Sequence, residues 1–76
     1  HVFVSDGYTV TDKIWNGSAW QPGTFSAPGH TVSATAYIVS GMPCLRVYCV
    51  AKDAITEYGN DGDTPGGWYT GSFSYP

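Results

Sequence analysis

Hydrophobic and polar positions alternate most cleanly between Val32 and Val39. Val32, Ala34, Ala36 and Ile38 fall on one side, Ser33, Thr35 and Tyr37 on the other. A period of two predicts a half-buried strand. Cys44–Cys49, Ala54–Glu57 and Trp68–Phe73 read as three further strands, because Val, Ile, Tyr and Thr suit a pleated surface. The Asp/Gly/Pro run from Asn60 to Gly67 reads as a loop. Earlier in the chain, residues 1–6 and 9–15 read as a hairpin. Asn16-Gly17-Ser18 turns it into a third strand, Ala19–Phe25. Ser26–Thr31 reads as a Pro/Gly linker and Ser40–Pro43 as a turn. No segment has a helical period or helix caps. The chain is expected to be all-β.

The two halves repeat. His1-Val2-Phe3 lies over Arg46-Val47-Tyr48, Val10-Thr11-Asp12 over Ile55-Thr56-Glu57, and Asn16-Gly17 over Asp61-Gly62, all at an offset of 45 positions. After a longer loop in the second copy the offset becomes 48. Trp20-Gln21-Pro22-Gly23-Thr24-Phe25 then matches Trp68-Tyr69-Thr70-Gly71-Ser72-Phe73, and Ser26-Ala27-Pro28 matches Ser74-Tyr75-Pro76. Strand-only repeats of this period predict β-propeller blades of four antiparallel strands. Residues 1–25 supply three strands, an incomplete first blade, and residues 26–76 supply four. The missing strand would be a copy of Val32–Val39 ahead of His1. The expectation is a cut from a repeat array, or blades completed by other chains, because an open edge must be paired or protected. Two blades cannot close a ring, which takes about four to eight. Closed cyclic assembly, a homo-oligomer, is the expected solution.

Charge and composition narrow the function. Charged residues are 12% and aromatic residues 16% of the 76, which is unlike a disordered tail. The net charge is −3 and Lys13, Arg46 and Lys52 are the basic residues, too few for a nucleic-acid-binding face. No run is long or apolar enough to cross a membrane. The sequence has neither a leader nor an initiator Met and gives no compartment. Cys44 and Cys49, five apart on one strand, point to opposite faces, so buried free thiols are expected. Asn16-Gly17-Ser18 is also a glycosylation sequon in a secreted setting.

The candidate chemistry lies at the strand ends. Arg46 and Glu57 sit on neighbouring strands. They read either as a surface salt bridge or as a guanidinium and a carboxylate offered to sugar hydroxyls. Trp15, Trp20 and Trp68 border Gly turns and read either as packing or as stacking platforms. Asn60, Asp61 and Asp63 resemble a calcium loop only faintly, lacking the later bidentate Glu. Asp12 and Glu57 could form a glycosidase acid pair, but their equivalent places in two blades argue against one shared bond. His30 reads as a solvated loop residue. No catalytic residue, metal or cofactor is expected.

Leu45-Arg46-Val47-Tyr48, Ile55-Thr56-Glu57 and Gly67-Trp68-Tyr69-Thr70-Gly71-Ser72-Phe73 resemble the fucose-binding lectin family typified by the Aleuria aurantia lectin. Asp12-Lys13-Ile14-Trp15-Asn16-Gly17-Ser18-Ala19-Trp20 resembles its acid-x-x-Trp-Asp-Gly-x-Gly-Trp motif. Phe25-Ser26-Ala27-Pro28-Gly29 with Val32-Ser33-Ala34-Thr35 resembles its blade connection, and the style is that of the small two-repeat bacterial members. The resemblance implies a six-bladed propeller built by three chains, non-enzymatic, binding fucosylated glycans between adjacent blades. Carried over, Arg46 and Glu57 bond the sugar while Trp15 and Trp20 of the next chain stack on it. The second site departs from the pattern. His1 stands for Arg, Asp12 for Glu and Asn60 for the first Trp, and only Trp68 remains. One competent site and one weak or dead site per chain are therefore expected, with the inserted Asp63-Thr64-Pro65 altering the second rim. Two alternatives stay open, a fragment of a propeller glycosidase and a structural propeller fragment that binds protein.

Overall fold

The computed structural model describes residues 1–75. Pro76, which the repeat matches to Pro28, lies outside them. Over the described residues the chain is all-β, with seven strands: β1 Val2–Ser5, β2 Thr9–Trp15, β3 Trp20–Pro28, β4 Thr31–Val39, β5 Met42–Ala51, β6 Ala54–Asp61 and β7 Tyr69–Tyr75. They form two antiparallel sheets in simple meander order, β1-β2-β3 and β4-β5-β6-β7. The boundary between the sheets falls at Gly29 and His30.

Tight turns fix each register. Asp6 Oδ1 accepts the N–H groups of Tyr8 and Thr9, and Asn16 Oδ1 accepts those of Ser18 and Ala19. A short side chain here closes its own backbone turn, and Gly7 and Gly17 take the positive φ between. Three strands run past their expected ends. β3 continues through Ser26–Pro28 because Val10 pairs with Ala27, which is buried, and a terminal proline on an edge strand needs no ladder donor. β5 reaches back to Met42, and β6 continues to Asp61 opposite Cys44.

The repeat is visible in detail. The bulges are in β3 and β7: Gly23, Thr24 and Phe25 lie across from Asp12 alone, and Gly71, Ser72 and Phe73 across from Glu57 alone. Asp12 accepts the N–H of Phe25 at 3.2 Å, and Glu57 accepts that of Phe73 at 3.3 Å. A Cβ at Gly23 would overlap the Asp12 carboxylate, and a Cβ at Gly71 would overlap that of Glu57. Both sheets thus use the same device: a bulge, a carboxylate on the neighbouring strand that caps it, and a glycine that makes room for the carboxylate.

The core is the layer between the sheets. Val10, Phe25 and Ala27 meet Val47 and Cys49, with Phe3, Val32, Tyr58 and Trp68 around them. Phe25 is the hub, edge-on to Phe3, Tyr58 and Trp68 at centroid distances of 5.7, 5.3 and 4.6 Å. The alternation read in β4 faces as expected, since Val32 pairs with Cys49, Ala34 with Val47 and Ala36 with Leu45. Its burial differs from expectation: only Val32 is partly buried. β1, the strand of the first sheet that packs on it, has four residues against its nine, so most of β4 lies beyond its cover. Cys44 and Cys49 are both buried and unpaired.

Candidate functional site

Two faces of the second sheet carry two different sets of residues. Val47 and Cys49 point into the core, so Arg46 and Tyr48 point outward. Glu57 lies directly across from Tyr48, and Arg46 across from Gly59, so Arg46 and Glu57 share the outer face at diagonal positions. They do not form the surface salt bridge that their strands allow. Arg46 Nη1 donates to Asp61 Oδ1 at 2.7 Å and to its neighbour's carbonyl, Leu45 O, at 2.8 Å. Glu57 Oε2 accepts the Tyr48 hydroxyl at 2.8 Å.

These bonds set the electrostatics. The hydrogen bond from Arg46 holds Asp61 below the usual carboxylate range, and the Tyr69 hydroxyl, donating to Asp61 Oδ2 at 2.8 Å, acts in the same sense. The Tyr48 hydroxyl, then the Phe73 N–H, hold Glu57 below that range as well. The partners Tyr48 and Tyr69 are raised by the carboxylates they face. The Arg46 guanidinium also lies between two rings, 5.5 Å from the centroid of Tyr37 and 5.6 Å from that of Tyr69. It is held by an anion on one edge and by aromatic faces on two sides. Nε and Nη2, its other nitrogens, make no hydrogen bond among the described residues, which leaves them for a ligand. Beside it, Ser33, Tyr48, Ile55, Glu57 and Phe73 line an open, largely apolar hollow.

Trp15 and Trp20 are on the opposite side of the molecule. They pair across β2 and β3, with ring centroids 5.4 Å apart, on the outer face of the first sheet. They are 51% and 52% exposed, which excludes the core-packing role for both. Within one chain, Arg46 and Glu57 therefore do not meet Trp15 and Trp20.

The repeat-equivalent set does converge. His1, Asp12, Asn60 and Trp68 line one cavity between the sheets, of about 40 Å³, together with Thr24 and Asp63. Space of that size takes a water or two and not a monosaccharide. Asn60 folds back on its own loop, donating to Thr64 O and accepting the Thr64 N–H. Trp68 packs on Phe3 and Phe25 and belongs to the core rather than to an open platform. His1 is engaged on both ring nitrogens: Nδ1 lies 2.9 Å from Asp12 Oδ2 and Nε2 lies 2.7 Å from Asp63 Oδ1. The inserted Asp63-Thr64-Pro65 thus lies over this cavity, with Asp63 bonded to His1.

Asp12 is 2% exposed, and burial pushes its carboxyl above the usual range against the pull of the Phe25 N–H. Asp12 and Glu57 lie on opposite sides of β6 and do not flank one cleft. Asp61 and Asp63 also diverge, one to Arg46 and one to His1. No group of three or more His, Cys, Asp and Glu side chains among the described residues is arranged to hold a metal ion. His30, expected in solvent, is exposed, with Nδ1 2.9 Å from its neighbour Thr31 Oγ1.

Sequence reasoning did not assign Asp61, Tyr69, Tyr37 and Tyr48 to the site. The signal for Asp61 was parity. Residues 57, 59 and 61 share a face once β6 is allowed to run past Asn60. No family model matches the chain, and no curated protein matches it, so the lectin resemblance rests on the motifs themselves.

Proposed function

We propose that the chain is a two-blade segment of a six-bladed propeller lectin that binds L-fucose on fucosylated glycans. In this reading the live site forms between copies. Arg46 and Glu57 come from the outer face of one chain's second sheet, and Trp15 and Trp20 from the outer face of the next chain's first sheet. The observation that carries the reading is the inter-sheet cavity. There the equivalents of all four residues, His1, Asp12, Asn60 and Trp68, meet when a second sheet packs on a first sheet. A neighbouring chain stacked by the same rotation brings Arg46 and Glu57 to Trp15 and Trp20. Three chains close the ring at six blades, within the range propellers adopt.

The chemistry suits a sugar. Ionised Glu57 accepts hydrogen bonds from two adjacent hydroxyls, and the outward edge of Arg46 donates to a hydroxyl and the ring oxygen. The exposed indoles cover the apolar face. Each such contact is weak, and a ring of sites gains from multivalent glycans. The preference for fucose is taken from the family resemblance. The test is isothermal titration with methyl α-L-fucoside, with galactose and mannose as controls, alongside sedimentation of the same sample. The reading expects a trimer and about one fucose per chain. A folded trimer that binds no fucose would remove the sugar, and a folded monomer would remove the shared site.

A further inference from the structure

The His1 ring poses a problem of proton counting. A neutral imidazole has one donor and one acceptor, and ionised carboxylates have acceptors only. Yet both ring nitrogens lie within hydrogen-bond distance of a carboxylate oxygen, 2.9 Å for Asp12 and 2.7 Å for Asp63. Both contacts are hydrogen bonds only if the cluster holds one proton beyond a neutral ring and two carboxylates. That proton sits on the second ring nitrogen or on Asp12, and the two placements are forms of one coupled system.

The surroundings make the proton consequential. The Asp12 side chain has no exposed surface, whereas that of Asp63 is 42% exposed on the loop between β6 and β7. Asp12 also accepts the Phe25 N–H on its other oxygen, so it is fixed from two sides. Among the described residues, Asp12 and Asp63 are the titratable side chains around the ring. The neighbouring positions of β3, β4 and β5 are Thr24, Ala34–Ala36 and Leu45, and the loop adds Asn60, Thr64 and Trp68. Arg46 points away, on the far face of β5.

We propose that Asp12, His1 and Asp63 form a proton-operated latch that holds the 61–68 loop down over the cavity between the sheets. When the shared proton leaves, one of the two bonds must fail. The one that fails is Asp63, since water can replace its partner and cannot replace that of Asp12. Rising pH therefore lifts the loop and opens the cavity to Asp12 and the edge of Trp68. This inference does not depend on sugar binding.

Hydrogen exchange of the loop amides tests it. The Thr64 N–H is held by Asn60 Oδ1 and the Gly67 N–H by Thr64 O, so both report the closed loop. After correction for the intrinsic rise of exchange with pH, opening should increase about tenfold between about pH 6 and about pH 9, the loss of one charge-assisted bond. Asp63→Ala, which removes the partner of Nε2, should be open to a similar degree at both pH values. His1→Gln, which can donate and accept but does not titrate, should flatten the pH dependence. Equal corrected protection across that range in the wild type, or wild-type protection in Asp63→Ala, overturns the latch.

Discussion

Arg46 is paired with Asp61 and not with Glu57. The 2.7 Å contact from Nη1 to Oδ1 fixes one edge of the guanidinium, and the rings of Tyr37 and Tyr69 confine its faces. A free arginine on a strand loses rotamer entropy when it grips a ligand; this one has already lost much of it. Asp61→Ala should lower fucose affinity about fivefold to tenfold while leaving unfolding stability nearly unchanged, as for an exposed ion pair. Titration and a denaturant melt on one sample separate the two. An unchanged affinity would mean that Asp61 does not orient Arg46.

The Tyr48 hydroxyl plays the corresponding part for Glu57. It donates at 2.8 Å and is the main cause of the carboxyl's lowered pKa. A depressed carboxyl contributes stability that is present above the unfolded pKa and lost as pH falls through the folded one. In the proposed lectin site the same ionised form is the one that accepts sugar hydroxyls. Sugar binding should therefore persist below the ordinary carboxylate range, and Tyr48→Phe should move the acid limb of a binding–pH profile upward. An acid limb that stays in place after the substitution would remove Tyr48 from this role.

Asp12 carries the opposite sign. Its raised pKa stabilises the fold below the unfolded value, and that contribution is lost as pH rises through the folded value. The two repeat-equivalent carboxylates thus bend the stability curve in opposite directions. Their glycines should separate as well. In Gly71→Ala the added methyl drives out Glu57, whose side chain can swing into solvent. Affinity should fall while stability drops by less than about 1 kcal/mol. In Gly23→Ala the methyl meets buried Asp12, which cannot move out, and the cost should be about 1–3 kcal/mol of overpacking. Comparable stability losses in the two variants would contradict this account of the bulges.

Much of the fold was legible from period and turn chemistry. The alternation in Val32–Val39 put the right residues on the inner face, and Asn16-Gly17 marked its turn. The offset of 45 paired Asp12 with Glu57, and the structure sets both opposite the same bulge with the same capped phenylalanine. Strand ends were less legible. Ser26-Ala27-Pro28 and Asn60-Asp61 have turn-like composition, yet ladder pairing with Val10 and Cys44 overrides it. Truncating β6 at Glu57 hid Asp61, and with it the true partner of Arg46. The latch was hidden for another reason: Asp63 and His1 are 62 positions apart, and only the stacking of the sheets brings them together.

The sharpest test of the site assignment compares Arg46 with its repeat equivalent. His1 and Arg46 stand at the same place in the two copies, but only Arg46 is on an open face. His1 lies in a cavity of about 40 Å³ with both ring nitrogens bonded to carboxylates. Arg46→Ala removes the outward donors and should abolish measurable fucose binding while leaving a folded assembly. His1→Ala releases the loop and costs some stability, because Asp12 loses a buried partner. It should leave affinity at the Arg46 site within about twofold, since the two sites are on opposite faces of the second sheet and share no residue. Titration of both variants with methyl α-L-fucoside decides the matter. If both substitutions reduce binding equally, the sugar is in the inter-sheet cavity as well, and the division into one open and one closed site is wrong.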